Sequence, residues 1–152
     1  MVRINLIEPS KLSDQHLVAE YREILLLFGY YRKHHQIRPS DDHKQPMRFY
    51  QDKILYLITR FFDIKQEMLN RQFKPIKDIK FCIHTMAKPR RNYFEPSEIQ
   101  IVEMKSRILQ RINERPTWYR YYGERKDPEF FENLMQTHEV SQELNRFKYK
   151  SI

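Results

Sequence analysis

Glycine is nearly missing from this chain: 152 residues hold two, Gly29 and Gly123. That scarcity speaks against glycine-turned β-hairpins and against the glycine-rich loops that cradle nucleotide phosphates. Cysteine occurs once, at Cys82, so no intramolecular disulfide can form, which suits a reducing compartment. No apolar run approaches the ~18 residues a membrane span needs. Arg3, Glu8 and Lys11 interrupt any apolar stretch near the start that could serve as a secretory signal. The expectation is a soluble, intracellular, cytoplasmic protein made mostly of helices.

What is abundant agrees. Hydrophobic residues make up 40% of the chain, with ten Phe and ten Tyr, enough for one core but not comfortably for two. The 28 Lys and Arg outnumber the 20 Asp and Glu, leaving a net charge of +8. A surplus of that size favours a polyanionic partner: DNA, RNA or an anionic membrane.

Residues 1–12 read as an extended arm broken by Pro9. Ser13 or Asp14 caps a helix running to about His34. At 100° per residue, Leu17, Val18, Tyr21, Ile24, Leu25, Phe28 and Tyr31 face the core. Gln15, His16, Ala19, Arg22, Glu23 and Lys33 fall opposite, joined by Leu26, Leu27 and Tyr30. A loop over 36–45 leads into a long helix over 46–72, apolar almost all round and so expected at the centre. Residues 74–96 read as irregular, with a short extended piece at 80–83 and a basic Lys-Pro-Arg-Arg loop at 88–91. A third helix starts at Pro96-Ser97-Glu98 and runs to about Glu114. Its apolar side is Ile99, Ile101, Val102, Met104, Ile108, Leu109 and Ile112. Phe130, Phe131, Leu134 and Met135 suit a short amphipathic helix before a basic end. The fold expected is all-α: a compact single domain of three main helices with an extended N-terminal arm and irregular loops.

Taken singly, the polar residues say little. Arg22-Glu23 on a helix is an ordinary solvated pair, and Arg107 with Arg111 at i, i+4 is a basic stripe suited to phosphates. Trp118, Tyr119, Tyr121 and Tyr122 suit stacking on bases or simple packing. His34, His35 and His43, or Cys82 and His84, lack the spacing of a structural zinc site, so no metal is expected. Cys82 has no activating constellation around it and reads as a structural thiol.

Together, several strings are more specific. RINL, DQHLVAEYRE, FGYYRKH, FYQDK and RPTWYRYYG, in that order, resemble the pyrimidine-dimer DNA glycosylases of the phage endonuclease V type. The likeness covers residues 1–124, leaving 125–152 as a charged extension. It implies a helical base-excision repair enzyme, acting as a monomer on UV-damaged duplex DNA without metal or organic cofactor. Such enzymes cut the glycosidic bond of the dimer's 5′ pyrimidine and then break the backbone by β-elimination (AP-lyase activity). Carried over by position, the nucleophile is the α-amine of Val2 after removal of Met1, and the catalytic carboxylate is Glu23. Arg3, Gln15, His16, Arg22, Arg107 and Arg111 fall on DNA-positioning sites, and Arg32 and Lys33 extend the basic surface.

The chemistry is sound on its own terms. An attacking amine must be neutral. At pH 7 roughly 10% of a model α-amine is neutral, against about 0.04% of a lysine. Three features depart from the family pattern. Val2 replaces a threonine, and Leu25 and Leu26 stand where a proline and a phosphate-binding arginine are common. The connecting segments 36–45 and 74–95 also differ. A lost charged contact is worth about 1.5–3 kcal/mol, for which Arg32, Lys33 or the 88–91 loop can compensate. Two other readings share these residues: the same imine chemistry on abasic sites or another damaged base, and a non-catalytic DNA-binding protein.

Overall fold

The computed structural model describes residues 4–75, 77 and 87–136. The N-terminal arm is not a loose strand. Ile4, Leu6, Ile7 and Leu12 are all buried, and Leu6 takes a left-handed backbone (φ 63°) to keep its side chain inward. A 3-10 turn at Pro9–Lys11 then delivers Ser13 to the start of α1, Asp14–Lys33. Ser13 is the cap: its Oγ accepts the His16 N–H at 3.1 Å. Asp14 is thereby released for another task.

The segment 46–72 is not one helix. It divides into α2 (Pro46–Phe49), a 3-10 turn (Tyr50–Asp52), a non-helical Lys53 and α3 (Ile54–Asn70). The break is tertiary in origin. Lys53 pairs with Arg91 in an isolated antiparallel bridge, and the Asn92 carbonyl accepts the Tyr56 N–H at 3.3 Å. Nor is α3 buried on every side. Ile54, Leu57, Phe61, Ile64 and Met68 form a stripe packed chiefly on α1, while Phe62 and Leu69 remain 54% and 50% exposed. On α1 the core sector is rotated from the one expected: Leu27 is buried, while Val18 and Leu25 are only half-buried. That sector also holds Glu20, whose carboxylate has its own partner.

The helix α4 (Glu98–Glu114) opens with a reciprocal box, in which Ser97 Oγ accepts the Gln100 N–H and the Gln100 side chain accepts the Ser97 N–H. Met104, Ile108 and Ile112 bury its inner side; Ile99 and Val102, expected there, are exposed. Against expectation, a glycine-turned hairpin follows. β1 (Arg120–Tyr121) pairs antiparallel with β2 (Glu124–Arg125). Tyr122 (φ 52°) and Gly123 (φ 80°) both sit in the left-handed region, as a two-residue type I′ turn demands. Residues 128–136 are helical and bury Phe131 and Met135 in the common core. The 88–91 loop contains a 3-10 turn at Lys88–Arg90. The expected extended piece at 80–83 lies outside the described residues.

Candidate active site

Glu20 is fully buried in the core. A carboxylate there is tolerable only with partners, and it has two. Arg60 on α3 grips it bidentately, Nε to Oε2 at 2.6 Å and Nη2 to Oε1 at 3.1 Å. The backbone N–H of Asn5 donates to Oε1 at 2.7 Å. One ion pair thus ties the arm to both α1 and α3, and it fixes Asn5 beside the second turn of α1.

A second network fastens the RPTWYRYYG segment to the start of α1. The Asp14 carboxylate accepts the turn N–H groups of Tyr122 (3.1 Å) and Gly123 (2.8 Å), and Arg71 Nη1 donates to it at 2.9 Å. Arg71 also holds Glu67 through Nε at 3.0 Å, and its guanidinium lies over the rings of Tyr121 and Tyr122. The hydroxyl of Tyr122 donates to Glu67 at 3.0 Å, that of Tyr121 to the Ser10 carbonyl at 2.9 Å. Gln15 completes the seam: its amide donates to the Trp118 carbonyl (2.8 Å) and accepts the Arg120 N–H (3.0 Å).

His16 is packed into this seam. Its ring stacks on Tyr119 with centroids 5.0 Å apart and planes within 4°, and Nδ1 sits 2.7 Å from Ser13 Oγ. That Oγ already accepts the His16 amide, so full satisfaction has the hydroxyl donating to Nδ1, leaving the ring proton on Nε2. Burial, followed by the charges of Arg107 and Arg111 on α4, lowers the imidazole pKa to about 4. His16 is therefore neutral at pH 7, and α4 presents its basic stripe to it.

Glu23 lies seven residues, two turns, beyond His16 on the same face. It is half-buried, and that burial raises its carboxyl above the usual range. Arg22, beside it, is exposed and overhangs a cleft of about 760 Å³ between α1 and the chain leaving α3. Val18, Leu25 and Phe73 line that cleft, with Lys74 and Lys77 adding charge. Leu26 is 68% exposed on this basic surface. Arg32 and Lys33 are exposed in the last turn of α1, Arg107 is half-buried, and Arg111 is exposed, 3.7 Å from Glu114.

His16 is thus brought together with Arg107 and Arg111, and Gln15 with the Trp118–Arg120 segment, at the start of α1; Glu23 lies two turns along the His16 face, Arg22 is on the cleft, and Arg32 and Lys33 stand two to three turns beyond. Val2 and Arg3, like Cys82 and His84, lie outside the described residues. Among the described residues no three His, Cys, Asp or Glu side chains gather as a metal site. His43 instead pairs with Glu103, Nε2 to Oε2 at 3.2 Å. No helix among them is long and apolar enough to cross a membrane. Sequence reasoning missed Glu20, Arg60, Asp14 and Arg71. The first two left a signal: each is a charge inside an apolar stripe, and a buried charge requires a partner.

A family model described as pyrimidine dimer DNA glycosylase matches residues 1–81, just over half of the chain.

Proposed function

The chain belongs to the pyrimidine dimer DNA glycosylase family of DNA repair, and from that premise we propose a bifunctional enzyme whose nucleophile is the main-chain amine of Val2. The substrate is a cyclobutane pyrimidine dimer in duplex DNA. Residues 1–124 form the catalytic unit; the helical residues 128–136 support it through Phe131 and Met135. The positioning groups are Arg3, Gln15, His16, Arg22, Arg32, Lys33, Arg107 and Arg111. Gln15 and His16 act through the seam they hold.

One observation carries this reading: the Asn5 N–H bound to buried Glu20. Followed backwards from Ser13, the arm travels along α1 toward its C-terminal end and reaches the level of Glu20. Three residue steps lead from Asn5 to Val2, a span of at most about 11 Å. Glu23 lies one turn further on, about 4.5 Å along the axis. An amine on Val2 is thus within reach of the Glu23 carboxyl, provided Met1 has been removed.

In the first step the neutral amine bonds to C1′ of the dimer's 5′ nucleotide. The glycosidic electron pair leaves with the base, which takes up a proton and stays tethered through the cyclobutane ring. Negative charge on Glu23 stabilises the cationic sugar as the base departs. The C1′–O4′ bond then opens, O4′ gains a proton and nitrogen loses one, giving an imine. Removal of the C2′ proton by Glu23 expels the 3′ phosphate, and water releases the amine. A half-buried carboxylate of raised pKa is a stronger base than an exposed one.

Borohydride trapping tests the reading. Protein shown to begin at Val2 should form a covalent adduct on duplexes carrying a dimer or an abasic site. An adduct with the abasic duplex alone would assign it to other damage. Tight binding with no adduct on either would make it a DNA-binding protein.

A further inference from the structure

His16, Glu23 and Tyr30 are each seven residues apart, so they form one line along α1 with about 10 Å between neighbours. A duplex seated over the first two runs on across the third. Tyr30 is half-buried, and its ring stacks on the exposed His34 with centroids 4.1 Å apart and planes inclined by 27°. Tyr31 meets it edge-on at 6.3 Å. An aromatic step is thereby built at the C-terminal end of α1.

The basic 88–91 turn is bolted to that same end. Arg90 is 8% exposed; its guanidinium lies 5.4 Å from the Tyr31 ring centre and its Nε donates to the Gln51 carbonyl at 3.0 Å. Asn92 fixes the other side, its Nδ2 donating to the carbonyls of Asp52 (2.8 Å) and Pro89 (2.6 Å). With Arg90 spent as the bolt, Lys88 is exposed and Arg91 half-exposed. The neighbouring acid, Asp52, is held by Lys53 Nζ at 3.0 Å. The carbonyl end of a helix by itself repels phosphate. Arg32 and Lys33 in the last turn, with the turn's cations, reverse that sign.

We propose that this end of α1 is a second contact on the sugar–phosphate backbone of the same duplex, about three base steps from the reacting sugar at about 3.4 Å per step. Tyr30 and His34 pack against the sugars, and Lys88 and Arg91 take phosphates. This contact rests on the duplex-DNA reading above, but its test is separate from imine chemistry.

In the full chain, Lys88→Gln with Arg91→Gln should make the salt dependence of binding to undamaged duplex shallower by about 1.8, at about 0.9 per phosphate. Tyr30→Ala should weaken that binding several-fold. Hydroxyl-radical protection about three nucleotides from the lesion should fade in both, with protection at the lesion retained. Unchanged melting and helical circular dichroism control for folding. An unaltered salt slope and footprint would overturn the second contact while a wild-type borohydride adduct left the glycosylase reading standing. A wild-type chain that bound no duplex would overturn both.

Discussion

Burial makes ionised Glu23 costly, and the sign of that cost separates function from stability at a single side chain. A carboxyl whose pKa rises on folding binds its proton more tightly in the native state, so its ionisation at neutral pH destabilises the fold. Stability from this group is complete below the unfolded pKa and is lost as pH rises through the folded one. Glu23→Gln should therefore melt at the same or a higher temperature at pH 7, keep its DNA affinity and lose strand cleavage. Calorimetry beside a nicking assay checks it, and unchanged cleavage removes Glu23 from its role. His16 has the opposite sense. Its pKa drops from 6.5 to about 4 on folding, so its stabilisation is present above pH 6.5 and is lost as pH falls toward 4. The loss is at most about 3.5 kcal/mol, at about 1.4 kcal/mol per unit. His16→Phe should show a shallower fall in melting temperature across that window.

Among the elements, the arm depends most on one remote contact. Glu20→Ala would strand buried Arg60 and free the Asn5 amide, at about 3–5 kcal/mol for a broken buried pair. Glu20 faces the core, so its influence on chemistry is positional. The distinguishing readout is hydrogen exchange: the Asn5 amide should lose protection before the α1 amides, and Glu20→Gln should recover part of it. Equal loss across arm and helix would mean that Glu20 holds only the global fold. Asp14 plays the matching part for the hairpin, since it alone accepts both left-handed turn N–H groups and also pairs with Arg71.

For the whole molecule, a charge of +8 makes scanning of undamaged DNA an electrostatic matter. Arg107 and Arg111 share the face that holds neutral His16. Replacing each with Gln should flatten the logarithmic salt dependence by about one unit per residue and weaken binding to all sequences alike. A loss confined to lesion-bearing duplex would instead tie these arginines to damage recognition. Phosphates set against the pair would also lift the His16 pKa back toward its ordinary value, which NMR titration with and without DNA would detect.

The sequence by itself determined what depends on near neighbours. Ser13 and the Ser97–Gln100 box start their helices where the local pattern says they should, and seven-residue spacing aligns His16 with Glu23. The five strings that resemble the family were readable without coordinates. The apolar 46–72 run concealed its break at Lys53 because the partner, Arg91, is far along the chain. The Tyr122-Gly123 turn was not read from the string that contains it, because its acceptor, Asp14, lies over a hundred residues earlier. Glu20 and Arg60 are 40 residues apart, so nothing local paired them. Periodicity reports which side of a helix is apolar, not what packs on it. Where the arm lies was decided only in three dimensions, because a carboxylate shut away from water must find its donors wherever the packed chain brings them.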